Sequence, residues 1–134
     1  MRDLGKLFSE FKGRRGASAA AIAECERHFG RELPKDYRDF LMIINGGEGF
    51  IGPNSYLMLW KVEELPSMND GYETTNYLPH CVLFGSSGGG EAYGFDIRTS
   101  QIKIVKVPLV GMEWGLALPQ SNSFREFLFQ LYEV

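Results

Sequence analysis

The sequence predicts an α+β domain: N-terminal helices, a meandering and mainly antiparallel sheet of about four to six strands, and a C-terminal helix packed on it. Three observations carry this prediction. Residues 33–47, LPKDYRDFLMIINGG, place Tyr37, Phe40, Leu41 and Ile44 at i, i+3, i+4 and i+7, one apolar stripe of a 3.6-residue period. From residue 48 onward, short apolar runs alternate with Gly-rich or polar turns, at spacings that suit antiparallel pairing rather than βαβ crossovers. Near the end, Ser123-Phe124-Arg125-Glu126 reads as a capping box ahead of an inward stripe of Phe124, Phe127, Leu128 and Leu131.

In chain order, Leu4, Leu7, Phe8 and Phe11 repeat the helical spacing and predict a short amphipathic helix over 4–11. Lys12-Gly13-Arg14-Arg15-Gly16 breaks it as a solvated linker, its basic pair too small to carry phosphate recognition. Ser18 can cap a second helix with Ile22, Cys25 and Phe29 inward and Gly30 as its stop. In the third helix Pro34 takes the first position, Lys35, Asp36, Arg38 and Asp39 face water, and Asn45-Gly46-Gly47 closes the C-terminus. Gly49, Gly52 and Pro53 then mark a loop. Strands are expected at 56–60, 81–84, 91–97, 102–107 and 114–118, with a short helical turn within 62–69 and an irregular polar stretch at 70–76.

With 134 residues and 44% hydrophobic side chains, the chain has enough apolar material for one core, so a single domain is expected over 1–134, its motif-bearing part starting near residue 18. A net charge of −3 argues against non-specific nucleic-acid binding. No apolar run follows Met1-Arg2-Asp3 and no segment approaches the ~18 apolar residues of a membrane span, so a soluble cytoplasmic protein with Cys25 and Cys81 reduced is the expectation.

The distribution of charge says more than its total. Residues 1–38 carry nine bases against six acids, whereas residues 48–96 carry Glu48, Glu63, Glu64, Asp70, Glu73, Glu91 and Asp96 against Lys61 alone. Phe50, Tyr56, Trp60, Tyr72, Tyr77, Tyr93 and Phe95 are interleaved among those acids. This pattern describes either a solvated acidic face over core aromatics or a surface that attracts a basic partner.

No catalytic or metal motif meets its structural requirement. Gly85–Gly89 fits G-x-S-x-G around Ser87, but the following residues read as strand rather than helix, and no histidine follows His80. A phosphate loop needs Lys-Ser/Thr after its glycines, where this chain has Glu91, and no G-x-G-x-x-G fingerprint is present. A hairpin connection whose glycines take positive φ explains the stretch. Cys25 and His28 could share a helix face, but His80-Cys81 are adjacent and on a strand would point to opposite sides, which is poor zinc geometry. Glu63 and Glu64 are neighbours in sequence, not a facing pair. Neither a cofactor nor a metal is expected.

Two motifs in order resemble a known group. Glu24, Phe29-Gly30, Leu33-Pro34-x-x-Tyr37-x-x-Phe40-Leu41 and Asn45-Gly46-Gly47 are similar to the entry motif of the SUKH superfamily, which includes fungal cell-wall assembly regulators of the Smi/Knr type. Leu83-Phe84-Gly85-Ser86 followed by Gly89-Gly90-Glu91-Ala92-Tyr93-Gly94-Phe95-Asp96 is similar to its mid-domain sheet motif, and the helix of Phe124 to Leu131 fits its end. The resemblance implies a non-enzymatic α+β domain that binds proteins. Bacterial members are typically immunity proteins that neutralise a cognate polymorphic or contact-dependent toxin in the cytoplasm, often a basic nuclease; fungal members are regulatory interaction modules. Tyr37, Phe40, Leu41, Ile44, Gly46 and Gly47 are assigned to folding. Partner contacts are expected from among Glu48, Trp60, Glu63, Glu64, Asp70, Tyr72, Glu73 and Glu91, since aromatic anchors and carboxylates set interface energy and specificity.

Overall fold

The computed structural model describes residues 4–134; residues 1–3, which the expected domain includes, lie outside them. One seven-stranded antiparallel sheet runs in sequence order: β1 (Phe11–Arg15), β2 (Ile44–Ile51), β3 (Ser55–Leu59), β4 (Cys81–Ser86), β5 (Glu91–Asp96), β6 (Lys103–Pro108) and β7 (Leu118–Ser121). Six helices accompany it: α1 (Leu4–Leu7), α2 (Ala19–Phe29), α3 (Lys35–Leu41), α4 (Leu65–Gly71), α5 (Thr74–Tyr77) and α6 (Phe124–Glu133). Short 3₁₀ turns occupy Val62–Glu64 and Trp114–Leu116. The fold is the expected α+β, with more strands than the four to six expected.

Two strands lie outside the expected spans: β1, from the supposed linker, and β2, from the supposed helix stop and loop. Helix α1 is a single turn, and Phe11 starts β1 instead of ending a helix. β1 pairs with β2, Lys12 opposite Glu48 and Gly13 opposite Gly47. That pairing explains the glycines of β2 better than a helix cap does. Helix α3 stops at Leu41, and Ile44, Asn45, Gly46 and Gly47 all lie on β2. Gly47 and Gly49 have φ of 139° and 153°, and an added Cβ would meet the Lys12 carbonyl oxygen at 2.3 Å or that of Glu10 at 2.5 Å. Only glycine lets β1 lie that close. The expected strand at 114–118 is likewise a 3₁₀ turn, with β7 beginning at Leu118.

The caps of α2 and the serine cap of α6 follow the sequence, whereas Pro34 is the N-cap of α3 rather than its first residue. Ser18 Oγ accepts from the Ala21 N–H at 3.1 Å, Gly30 closes α2 at φ 72°, and Ser123 Oγ accepts from the Glu126 N–H at 3.1 Å. Glu26 then joins α2 to α3: its carboxylate accepts the Leu33 N–H at 2.8 Å and faces Arg38 Nε at 3.7 Å.

Helices α3 and α6 bring Tyr37, Phe124 and Phe127 against Phe84, Tyr93 and Phe95 of the sheet, with ring centroids as close as 4.8 Å between Phe127 and Tyr93. Full burial of each such ring stabilises the fold by about 1.5–3 kcal/mol. Helices α4 and α5 pack against β4, and α2 against α4 and the first 3₁₀ turn.

The long β3–β4 connection has a consequence for the sheet. β3 pairs with β4 through Met58 with Ser86 and Leu59 with Gly85, and the Trp60 N–H just beyond β3 still donates to the Phe84 carbonyl at 3.1 Å. Beyond that point buried Asn69 of α4 takes the place of the missing strand. Its Oδ1 accepts the Leu83 N–H at 2.9 Å, and its Nδ2 donates to the carbonyls of Leu83 at 3.0 Å and Leu65 at 2.8 Å.

Candidate partner interface

Cross-strand register assigns side chains to faces. Glu48 lies opposite Met58, Met58 opposite Ser86, and Ser86 opposite Ala92, so these four share one face. Over β4 to β6 that face is closed: Ser86, Ala92 and Val107 are buried. Over β1 to β3 it is open. There Lys12 and Glu48 separate two depressions. One, of about 610 Å³, is lined by Glu10, Phe50, Pro53 and Tyr56; the other, of about 430 Å³, by Arg14, Met58, Trp60 and Glu64.

Internal contacts hold this surface in place. The Tyr56 hydroxyl donates to Glu48, a bond that pushes the phenol's pKa up, and the Tyr56 ring meets Phe50 edge-on at 5.2 Å. Phe50 is 47% exposed, a large apolar side chain left to solvent in a strand. Trp60 is only 9% exposed and stacks on half-buried Tyr72 at 6.2 Å and 16°. This stack ties the end of β3 to the acidic segment beyond it.

That segment is organised by Asn45, the buried asparagine read in sequence as a helix cap. Its Oδ1 accepts the Val62 N–H at 2.8 Å and its Nδ2 donates to Glu63 at 2.7 Å. The second bond holds the Glu63 carboxyl below the usual range. Glu64 accepts the Lys61 N–H at 2.9 Å. Exposed Asp70 lies in the last turn of α4, and exposed Glu73, at φ 54°, is the N-cap of α5 and accepts from Asn76.

The eight residues expected at the interface therefore do not form one patch. Glu48, Trp60 and Glu64 share the open sheet face. Glu63, Asp70, Tyr72 and Glu73 lie on the segment that the Trp60–Tyr72 stack attaches to it. Glu91, the neighbour of Ala92 on β5, projects from the opposite face and lies 3.8 Å from Lys106. Phe50, Tyr56, Met58, Lys12 and Arg14 belong to the open face too. The alternation of Phe50, Tyr56 and Met58 with their neighbours was a signal for it.

Ser87, Cys25 and Cys81 have structural surroundings. Ser87 lies in the β4–β5 hairpin, its Oγ accepting the Gly89 N–H at 3.2 Å, with Gly88 and Gly90 at positive φ. Cys25 and Cys81 are free and buried, and burial pushes both thiols up to about 12, leaving no thiolate near neutral pH. Among the described residues no three His, Cys, Asp or Glu side chains gather as a metal site would need, and no helix is long and apolar enough to cross a membrane.

The model of the SMI1/KNR4 family (SUKH-1) matches residues 16–130 of the chain. No curated protein matches the chain.

Proposed function

The chain belongs to the SMI1/KNR4 family (SUKH-1), and from that premise we propose that it is a non-enzymatic protein-binding domain, acting in the cytoplasm as an immunity protein that neutralises a cognate toxin by direct binding. The observation that carries this reading is the surface around the Trp60–Tyr72 stack. A rigid aromatic pair lies at the end of an open sheet face, with Glu64 beside Trp60 and with Glu63, Asp70 and Glu73 on the same segment of chain. Buried Trp60 fixes the position of half-buried Tyr72, which with exposed Phe50 can anchor an interface, while surrounding carboxylates select a basic partner and speed its approach. The toxin domain proposed here is basic and of the nuclease type. Neither nucleic acid nor membrane is a direct partner.

Co-expression with the polypeptide encoded immediately upstream tests the proposal. Restored growth together with a co-purifying complex supports immunity. A neighbour that is harmless alone, or that kills despite this chain and never co-purifies, contradicts it. The family's regulatory role in cell-wall assembly would then be pursued by pull-down from the native host.

A further inference from the structure

The basic stretch that sequence reasoning set aside as a linker has a second property in the fold: it is a sheet edge. Among the described residues β1 pairs only with β2, and Lys12, Gly13, Arg14 and Arg15 are all exposed. The exposure of Gly13 is informative because a glycine's surface is backbone, so the strand's main chain itself is open to solvent. Among the described residues Lys12, Arg14 and Arg15 form no ion pair, although acids lie close by; Glu48 is taken up by Tyr56. The opposite edge is built differently. β7 carries Pro119, which has no N–H to offer an added strand. β1 also precedes residue 16, where the family match begins, so this edge is outside the matched segment.

We infer that β1 is a docking edge for an acidic extended segment of another protein, added to the sheet as an eighth strand. Unpaired backbone groups of an edge supply the ladder, and alternate side chains supply selectivity. Lys12 and Arg14 line the same depression and so share a face, while Arg15 follows directly in the chain. A segment with carboxylates at alternate positions places them beside Lys12 and Arg14, the opposite-charge cross-strand pairing that favours sheet register. The same three bases oppose pairing with a second copy of β1, since like charges would meet across the new ladder.

The test uses the full chain, ¹⁵N-labelled, titrated with a capped heptapeptide of alternating Glu and Val, which NMR detects even at millimolar affinity. Shift changes and slowed amide exchange are expected over Phe11–Arg15 and their β2 partners. Binding should weaken about tenfold or more in Lys12→Gln/Arg14→Gln/Arg15→Gln, as each opposite-charge pair contributes a fraction of the affinity. The charge-reversed triple Lys12→Glu/Arg14→Glu/Arg15→Glu, checked for folding, should bind a Lys-Val peptide instead. A peptide N-methylated at alternate residues keeps its charge but loses ladder donors and should fail. The inference is overturned if the Glu-Val peptide does not bind at this edge. It is equally overturned if the N-methylated peptide or the Lys-Val peptide binds the natural chain as well as the Glu-Val peptide does, or if neutralising the bases changes nothing.

Discussion

Asn69 offers the sharpest check on how the sheet is held together. Its side chain completes the backbone hydrogen bonding of Leu83, a residue with 0% exposure, where β3 has left β4. Replacing Asn69 with Leu keeps the branched shape, with a larger volume, but removes all three bonds, stranding the N–H and carbonyl of Leu83 and freeing the carbonyl of Leu65. Each buried group left unsatisfied costs about 1–3 kcal/mol. Taking the two groups of Leu83, the loss should be about 3 kcal/mol, a large share of the roughly 5–15 kcal/mol that a domain commands. For a chain of this length that corresponds to about 10 °C in Tm. Urea unfolding followed by circular dichroism measures it directly, an unchanged m-value confirming that the folded state is otherwise intact. The Leu83 amide should lose protection against hydrogen exchange in the same variant. A loss below about 1 kcal/mol would refute the reasoning, because β3 or water would then be satisfying Leu83 without Asn69.

Other expectations follow from particular contacts. The Tyr37 hydroxyl is buried without a hydrogen-bond partner, so Tyr37→Phe should leave stability unchanged or raise it by about 1 kcal/mol in the same urea assay. Gly47→Ala drives a methyl into the Lys12 carbonyl; it should cost about 2 kcal/mol or more and strip exchange protection from β1 first. The Asn45 bond lowers the Glu63 carboxyl, and Arg98, against the upward push of burial, lowers that of Asp96. Both groups hold on to a proton less well folded than unfolded, so their stabilisation is present at neutral pH. It disappears as pH falls from the ordinary carboxylate values near 4 through the lowered folded ones. Glu63→Gln should therefore flatten the fall in Tm between about pH 5 and pH 3.

Much of the fold was legible because it rests on local chemistry. Ser18, Gly30 and Ser123 cap helices through bonds within a few residues, and the Gly88 and Gly90 hairpin follows from glycine's tolerance of positive φ. The errors lie where tertiary partners decide. Asn45-Gly46-Gly47 has the composition of a helix stop, yet Asn45 is claimed by Val62 and Glu63, far along the chain, and Gly47 by β1. The β-branched pair Ile43-Ile44 was the local signal for strand that the helical spacing of Ile44 masked. Residues 11–15 hold one apolar side chain in five, too few for alternation to reveal a strand whose outer edge faces water. At the candidate interface, composition identified the acids and aromatics but not their grouping. The stacking of Trp60 on Tyr72 and the placement of Glu91 on the opposite face are products of register and of the long β3–β4 connection.

The most direct measurement is the rate and affinity with which the purified chain binds the polypeptide encoded beside it, the toxin under the proposed function, compared with those of the double variant Asp70→Lys/Glu73→Lys. Both positions are exposed, so the variant should unfold like the natural chain. The account predicts an association rate reduced about tenfold or more at low salt, with the difference shrinking as ionic strength rises. Equal rates for the two proteins at every salt concentration, or no complex at all, would contradict it.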